Sequence, residues 1–161
     1  MLSWLHFATF GNVYAGGWAK KDALYCIVPR FRDELHTDAF YVSFLKHETQ
    51  HLRDYQEFPQ LKAPDLEYRA KLVEIMYYSD HEFFNTLLIQ AVKNKNSPHN
   101  YAAYKITEQF SKHFFNKDEE KQIDQWQTIN YEDIQSYARK LFDEHTILLK
   151  SKGARTIEGV I

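Results

Sequence analysis

The sequence contains a single cysteine, Cys26, so no disulfide bond can form within the chain and a cysteine-rich zinc module is excluded. Glycine and proline are also scarce, with 5 Gly and 4 Pro in 161 residues. Because these two residues mark turns, their scarcity favours long helices over a turn-rich β-sandwich. A chain of this length fits one domain with a sizeable core. We expect Cys26, in the apolar stretch LYCIVP, to be a buried core residue.

The chain also lacks a charge excess and a long apolar run. Its formal net charge is -2, which gives no reason to expect nucleic acid or an anionic membrane as a partner. No stretch of about 18 apolar residues occurs, so no segment is predicted to span a membrane. The first residues, MLSWLHFATFGNVYAGGW, have neither the basic region nor the continuous apolar region of a signal peptide. These absences predict a cytoplasmic protein.

The patterns that are present predict an α+β fold, with a small β region before a helical body. Residues 1–31 are rich in β-branched and aromatic residues, and the stretches SWLHFATF, NVYAG and DALYCIVPRF predict two or three short strands. Helical patterns follow, and they predict helices over 37–58 and 65–93 and a helical remainder over 97–153. No linker divides the chain, so residues 1–161 are predicted to form one domain.

Residues with capping preferences stand at the ends of these predicted helices. Thr37 or Asp38 is expected to cap the first helix, and Asp65 the second. The second helix is expected to bend near Ser79–Asp80. Gly153 is the expected stop of the last helix, because glycine is favoured just past a helix end.

The stretch FLKHETQHLRDY, within the first predicted helix, holds two histidines four residues apart with a glutamate directly after the first. Residues four apart lie on one face of a helix, so the imidazoles of His47 and His51 can reach one tetrahedral Zn²⁺ ion at about 2.0–2.1 Å. Glu48 would project beside the metal, where it can hold and deprotonate a water molecule. Eight histidines make the full motif an accident in about 3% of chains of this composition. The uninterrupted helical pattern around it favours the metal site.

Two histidines leave a zinc site incomplete, and a third protein ligand would leave one position open for water. The sequence HETQH, followed by a short turn and a helix that carries Glu67 and Ala70, resembles the gluzincin branch of zinc metallopeptidases. The resemblance covers about residues 22–75. It implies a zincin-like fold, with Glu67 as the third zinc ligand and Glu48 as the general base.

The chain departs from that family at one position of the second helix. Many gluzincins have an aspartate four residues after the ligand glutamate, where it supports a ligand histidine, and this chain has Lys71. Asp54, one turn beyond His51, is the candidate for the supporting role. Glu74, two turns beyond Glu67 on the same face, is the alternative metal ligand.

Peptide hydrolysis also needs a hydrogen-bond donor for the oxyanion, and in gluzincins a Tyr or His from a later helix usually supplies it. The candidates are Tyr77, Tyr78, His81, Tyr101, Tyr104 and His113. Histidines without a partner at ligand spacing are assigned structural or surface roles, namely His6, His36, His99 and His145.

The main hypothesis is therefore a zinc-dependent hydrolase, a metallopeptidase that acts on a peptide or protein substrate. The second is a non-catalytic zincin-like module that binds a partner in its groove. The third is a mononuclear iron protein that uses the same two histidines and glutamate. A di-iron bundle is disfavoured, because the second copy of Glu-x-x-His that it needs is absent. The sequence leaves the oligomeric state open.

Overall fold

A two-stranded antiparallel sheet precedes a helical body in the computed structural model, which describes residues 17–20, 23–153 and 161. Strand β1 (Gly17–Ala19) pairs with β2 (Leu24–Cys26), and Gly17 lies opposite Cys26. The fold class is α+β, as predicted. The expected strands SWLHFATF and NVYAG, together with His6, lie outside the described residues.

The sheet is followed by a 3-10 turn (Val28–Phe31) and then by one continuous helical segment in three parts. Helix α1 (Asp38–Phe40) leads into a π-helical turn (Tyr41–Lys46), and the turn leads into α2 (His47–Glu57). This segment corresponds to the helix predicted over 37–58. The difference is the π-helical turn, which widens the helix by one residue per turn directly before His47.

The second predicted helix, 65–93, corresponds to two separate helices in the structure, so the prediction of a single bent helix was wrong. Helix α3 (Ala63–Tyr77) ends at an extended Tyr78, and α4 (Glu82–Gln90) begins four residues later. The Asp80 carboxylate accepts a hydrogen bond from the backbone N–H of Glu82 at 2.8 Å. An aspartate that binds its own backbone in this way competes with helical hydrogen bonding, which accounts for the break.

Asp65 does not cap α3 as predicted, because the helix begins two residues earlier at Ala63. The Asp65 side chain is buried in the first turn, and its Oδ1 atom lies 3.2 Å from Nε2 of His145. Thr37 stands at the N-cap of α1, but its hydroxyl donates to the backbone oxygen of Glu34 instead of capping the helix.

Three further helices complete the described chain: α5 (Pro98–Phe115), α6 (Ile123–Trp126) and α7 (Tyr131–Lys152). They correspond to the helical remainder predicted over 97–153. Asn116 follows the end of α5 and Gly153 follows the end of α7, each with a positive φ of the kind that terminates helices. The Asn130 side chain caps α7 by accepting from the backbone N–H of Glu132.

Helix α3 is the centre of the body and packs against α2, α5 and α7. Its apolar side chains join those of α4, α5, α6 and α7 in the main core, which includes Leu72, Ile75, Phe84, Ile106, Trp126 and Ile134. Most of its polar side chains are buried as well. A helix buried on all sides shows no single apolar stripe, so each buried charge on α3 needs a partner within the protein.

The described part of the chain offers no helix that combines the length and the apolar character needed to cross a bilayer. The prediction of a buried Cys26 was wrong, because its side chain is exposed. Within the described residues the sheet consists of two short strands, and along β2 the side chain of Leu24 is half-buried while those of Tyr25 and Cys26 are exposed.

Candidate metal centre

Helix α2 presents His47 and His51 on one face, with ring centroids 4.6 Å apart, and α3 presents Glu67 to them. Nε2 of His47 lies 3.5 Å from Oε2 of Glu67, and Nε2 of His51 lies 3.4 Å from Oε1. Two donor atoms bound to one tetrahedral zinc ion are about 3.3 Å apart. One donor atom from each residue lies within 4.8 Å of the others, so the three predicted ligands form a group that could hold a metal ion.

The orientation of the His47 ring is fixed by a second carboxylate. Nδ1 of His47 lies 2.6 Å from Oε1 of Glu74, and both side chains are buried. An ionised carboxylate only accepts hydrogen bonds, so this contact assigns a proton to Nδ1 and leaves Nε2 as the ring nitrogen that can bind a cation. A carboxylate on the far nitrogen orients a ligand histidine and raises its basicity. His47 is therefore arranged to bind a cation through Nε2, on the side of Glu67.

Two of the candidate ligands, His51 and Glu67, each have a buried polar atom without a hydrogen-bond partner in the described part of the chain. Within the described residues, Nδ1 of His51 and Oε2 of Glu67 are buried and accept or donate no hydrogen bond. Burial raises the pKa of Glu67, but the imidazoles of His51, His99 and His47 outweigh it and hold the pKa well below its usual value. Glu67 is thus ionised. Two imidazoles and an ionised carboxylate fit a divalent transition metal.

Glu48 and one of the metal donors, His47, line a cavity of about 360 Å³, called the donor cavity below. Its lining includes Gly17, Phe31, Phe44, His47, Glu48 and His99. The half-buried carboxylate of Glu48 has no hydrogen-bond or ion-pair partner among the described residues. A larger cavity of about 560 Å³ lies against Lys46 of the π-helical turn and Arg53 of α2, but none of the metal donors lines it.

A buried ion pair directly behind the donors joins α2 to α3. Nε of Arg69 donates to both carboxylate oxygens of Asp54 at 2.9 Å, and Gln50 donates to Oδ1 at 2.8 Å. Asp54 therefore does not orient His51 as predicted, because its oxygens are taken by Arg69 and Gln50. The arginine also donates to Thr146 of α7 at 2.9 Å, so three helices meet behind the site.

The carboxylate that contacts the far ring nitrogen of a candidate ligand histidine comes from Glu74, the residue that the sequence offered as an alternative ligand. It lies on the opposite ring nitrogen of His47 from Glu67. Lys71, which stands where many gluzincins have the supporting aspartate, is buried and donates to Gln90 at 3.1 Å. The supporting carboxylate is thus seven residues after Glu67 and not four, on the same face of α3.

Sequence reasoning missed two residues beside the donors. His99, in the first turn of α5, has its Nδ1 atom 2.8 Å from Oε2 of Glu67. Tyr55, one turn beyond His51, has its ring centroid 6.3 Å from that of His51. Burial raises the pKa of Tyr55, and the charges of Glu48 and Glu67 raise it further. The spacing of Tyr55 on α2 was a usable signal, because it continues the face that carries the histidines.

None of the residues predicted to stabilise the oxyanion lines the donor cavity. His81 contacts the backbone oxygen of Ile129, and His113 stacks on Tyr137 with ring centroids 3.9 Å apart. Tyr104 donates to Glu108, and Tyr77 lines the larger cavity. The hydroxyl of Tyr78 accepts from Ser43, which lines the donor cavity, and Tyr101 lies against Tyr104 with ring centroids 6.2 Å apart.

The grouping of His47, His51 and Glu67 is compatible with a metal site of the HExxH type. A scan against protein-family models, a search of curated proteins and a search of solved structures each found no match to the chain. The function is therefore inferred from the donors and from the cavity that Glu48 and His47 line.

Proposed function

We propose that the protein is a zinc-dependent hydrolase that cleaves peptide bonds, and that its active-site helix and glutamate helix form a zincin-like pair. His47, His51 and Glu67 would hold the ion. The observation that carries the proposal is the environment of Glu48, whose carboxylate lies in the donor cavity without a hydrogen-bond or ion-pair partner among the described residues. A general base needs such a free carboxylate beside the reacting groups.

Each nearby residue has a distinct role in this mechanism. Zinc held by the three donors would polarise a carbonyl and lower the pKa of a water molecule to about 7. Glu48 takes a proton from the attacking water and returns it to the leaving nitrogen.

The strand beside the cavity supports a peptide as the substrate. Gly17 of β1 lines the same cavity as Glu48. A Cβ atom at this position would overlap the backbone oxygen of Tyr25 and the ring of Phe44, so the backbone approaches its neighbours as closely as glycine allows. Extended peptides bind beside strands through main-chain hydrogen bonds. A strand at the cavity wall is consistent with that mode of binding.

The test is a Glu48→Gln variant, which removes the base and keeps the size of the side chain. We expect zinc binding to be retained and hydrolysis of a fluorogenic peptide mixture to fall by about 10²- to 10⁴-fold. Glu57→Gln is the matched control, because Glu57 lies on the same helix and pairs with Arg53 and Lys150 outside the cavity. Its activity should equal that of the wild type.

Other outcomes would favour the remaining hypotheses. Zinc bound by the wild type with no hydrolysis of any peptide or ester would favour the non-catalytic binding module. Iron retained in preference to zinc would favour the mononuclear iron protein, because two histidines and a carboxylate are also a common iron site. Equal activity of wild type and Glu48→Gln would refute the role given to Glu48.

A further inference from the structure

His99 differs from the three metal donors in its position and in its exposure. It follows Pro98 in the first turn of α5, and its side chain is 63% exposed. Its ring is nevertheless held against the donors, nearly parallel to the ring of His47, with centroids 6.5 Å apart and an interplanar angle of 18°. Nδ1 of His99 lies 2.8 Å from Oε2 of Glu67.

The contact between His99 and Glu67 is not a hydrogen bond of ordinary geometry, because Oε2 has no hydrogen-bond partner in the described part of the chain. Three imidazole nitrogens thus surround the two oxygens of one carboxylate, at 3.5, 3.4 and 2.8 Å. Among the described residues, the donor atoms that all lie within 4.8 Å of one another come from His47, His51 and Glu67, and His99 stands beside this group in contact with Glu67. A turn of its exposed ring would bring one of its nitrogens to a cation held by the three donors.

We propose that His99 is a fourth, displaceable ligand of the metal ion, so that the site is closed at rest and opens when His99 leaves. The inference rests on the metal site of the proposed function and adds a means of regulating it. With four protein ligands, a tetrahedral zinc ion has no position for water, whereas three ligands leave one. Departure of His99 would supply the position that hydrolysis needs.

The structure makes His99 the ligand that can leave. His47 and His51 are buried on α2, and α2 is joined to α3 by the buried pair of Arg69 and Asp54. His99 stands on a different helix, largely in solvent. Turning its ring outward would bury no charge and would break no contact within the core. An extended substrate that enters the cavity would compete for the place that the ring occupies, since His99 is part of the cavity wall.

The alternative role of His99 is a donor to the substrate that never binds the metal. The two roles differ in their effect on the protein without substrate. A metal ligand changes metal affinity and metal coordination at rest, whereas a substrate-side donor changes only turnover. Measurements on the resting protein therefore separate them.

The experiment compares the wild type with His99→Ala, and uses His36→Ala, a variant at an exposed histidine of the loop before α1, as the matched control. Zinc affinity is measured by competition with a chromophoric chelator, and coordination by the visible absorption of the Co²⁺-substituted protein. We expect His99→Ala to bind zinc at least about tenfold more weakly, because loss of even an indirect partner of a ligand costs that much. Its cobalt spectrum should change, and added imidazole should restore it. His36→Ala should match the wild type.

Failure of this inference is distinguishable from failure of the proposed function. If His51→Ala loses zinc but His99→Ala keeps the affinity and the cobalt spectrum of the wild type, His99 is not a ligand and the metal site stands. If the wild type binds no zinc, both are overturned. Circular dichroism of each variant shows that a lost affinity does not come from unfolding.

Discussion

Glu74 offers the sharpest test of how the site is built, because its carboxylate touches His47 and no other donor. The carboxylate is 4% exposed and lies 2.6 Å from Nδ1 of His47, so the hydrogen bond is charge-assisted and shielded from water. In Glu74→Ala the proton on Nδ1 of His47 loses its acceptor. The ring is then no longer held in the orientation that directs Nε2 toward the metal. Removal of such a partner costs about 10- to 100-fold in metal affinity, or about 1.4 to 2.8 kcal/mol.

The assay is zinc competition with a chelator on Glu74→Ala, Glu74→Gln and the control Glu108→Gln. Glutamine can still accept from Nδ1 but carries no charge, so its loss of affinity should lie near the lower bound. Glu108 is a paired carboxylate of α5, bound to Tyr104 and Lys105 away from the donors, and its variant should bind zinc as the wild type does.

Two results would refute this reasoning. A folded Glu74→Ala protein with unchanged zinc affinity would show that the hydrogen bond to His47 does not tune the metal. A loss as complete as that of His51→Ala, together with a mild effect of Glu67→Ala, would make Glu74 the ligand itself, which is the alternative that the sequence left open.

Three further predictions concern the body of the protein. Asp54→Ala leaves Arg69 buried without its carboxylate and should lower the free energy of unfolding in urea by about 3–5 kcal/mol; a change below about 1 kcal/mol, typical of exposed pairs, would contradict the buried pairing. Trp126→Ala empties a fully buried site in the main core and should cost about 3–5 kcal/mol in the same assay, whereas an unchanged midpoint would show that the core does not depend on it. Removal of metal with a chelator should leave the far-ultraviolet circular dichroism unchanged, because α2 and α3 are joined without metal; loss of helicity would indicate folding coupled to metal binding.

The sequence was informative wherever a spacing rule applies. Residues four apart on one helix had to share a face, so His47 and His51 could be paired without knowledge of the fold. A turn separates Glu67 from them, and no periodicity crosses a turn, so its assignment needed the resemblance to gluzincins. The peptide substrate, the catalytic role of Glu48 and the cytoplasmic location remain predictions.

The parts that could not be predicted depend on contacts between distant elements. His99 is brought to Glu67 by the packing of α5 on α3. The only signal in the sequence was the small pair Ala102 and Ala103, both fully buried, one turn beyond His99. Arg69 is buried against Asp54, although a charged side chain alone would favour a solvated helix position. The sequence does not show which cationic and carboxylate side chains on separate helices will pair, because the pairing depends on how the helices pack.

The π-helical turn at Tyr41–Lys46 affects how the donor cavity can change during evolution. Each residue of an α-helix turns the chain by about 100°, and a π-helical turn holds one residue more than an α-helical turn. Deletion of one residue within the turn would restore regular helix and rotate the preceding segment about 100° around the axis of α2. Ala39 of α1 would leave the cavity wall, while His47 and His51 would stay in place. A loss of three nucleotides would therefore alter what the cavity admits and leave its metal donors intact.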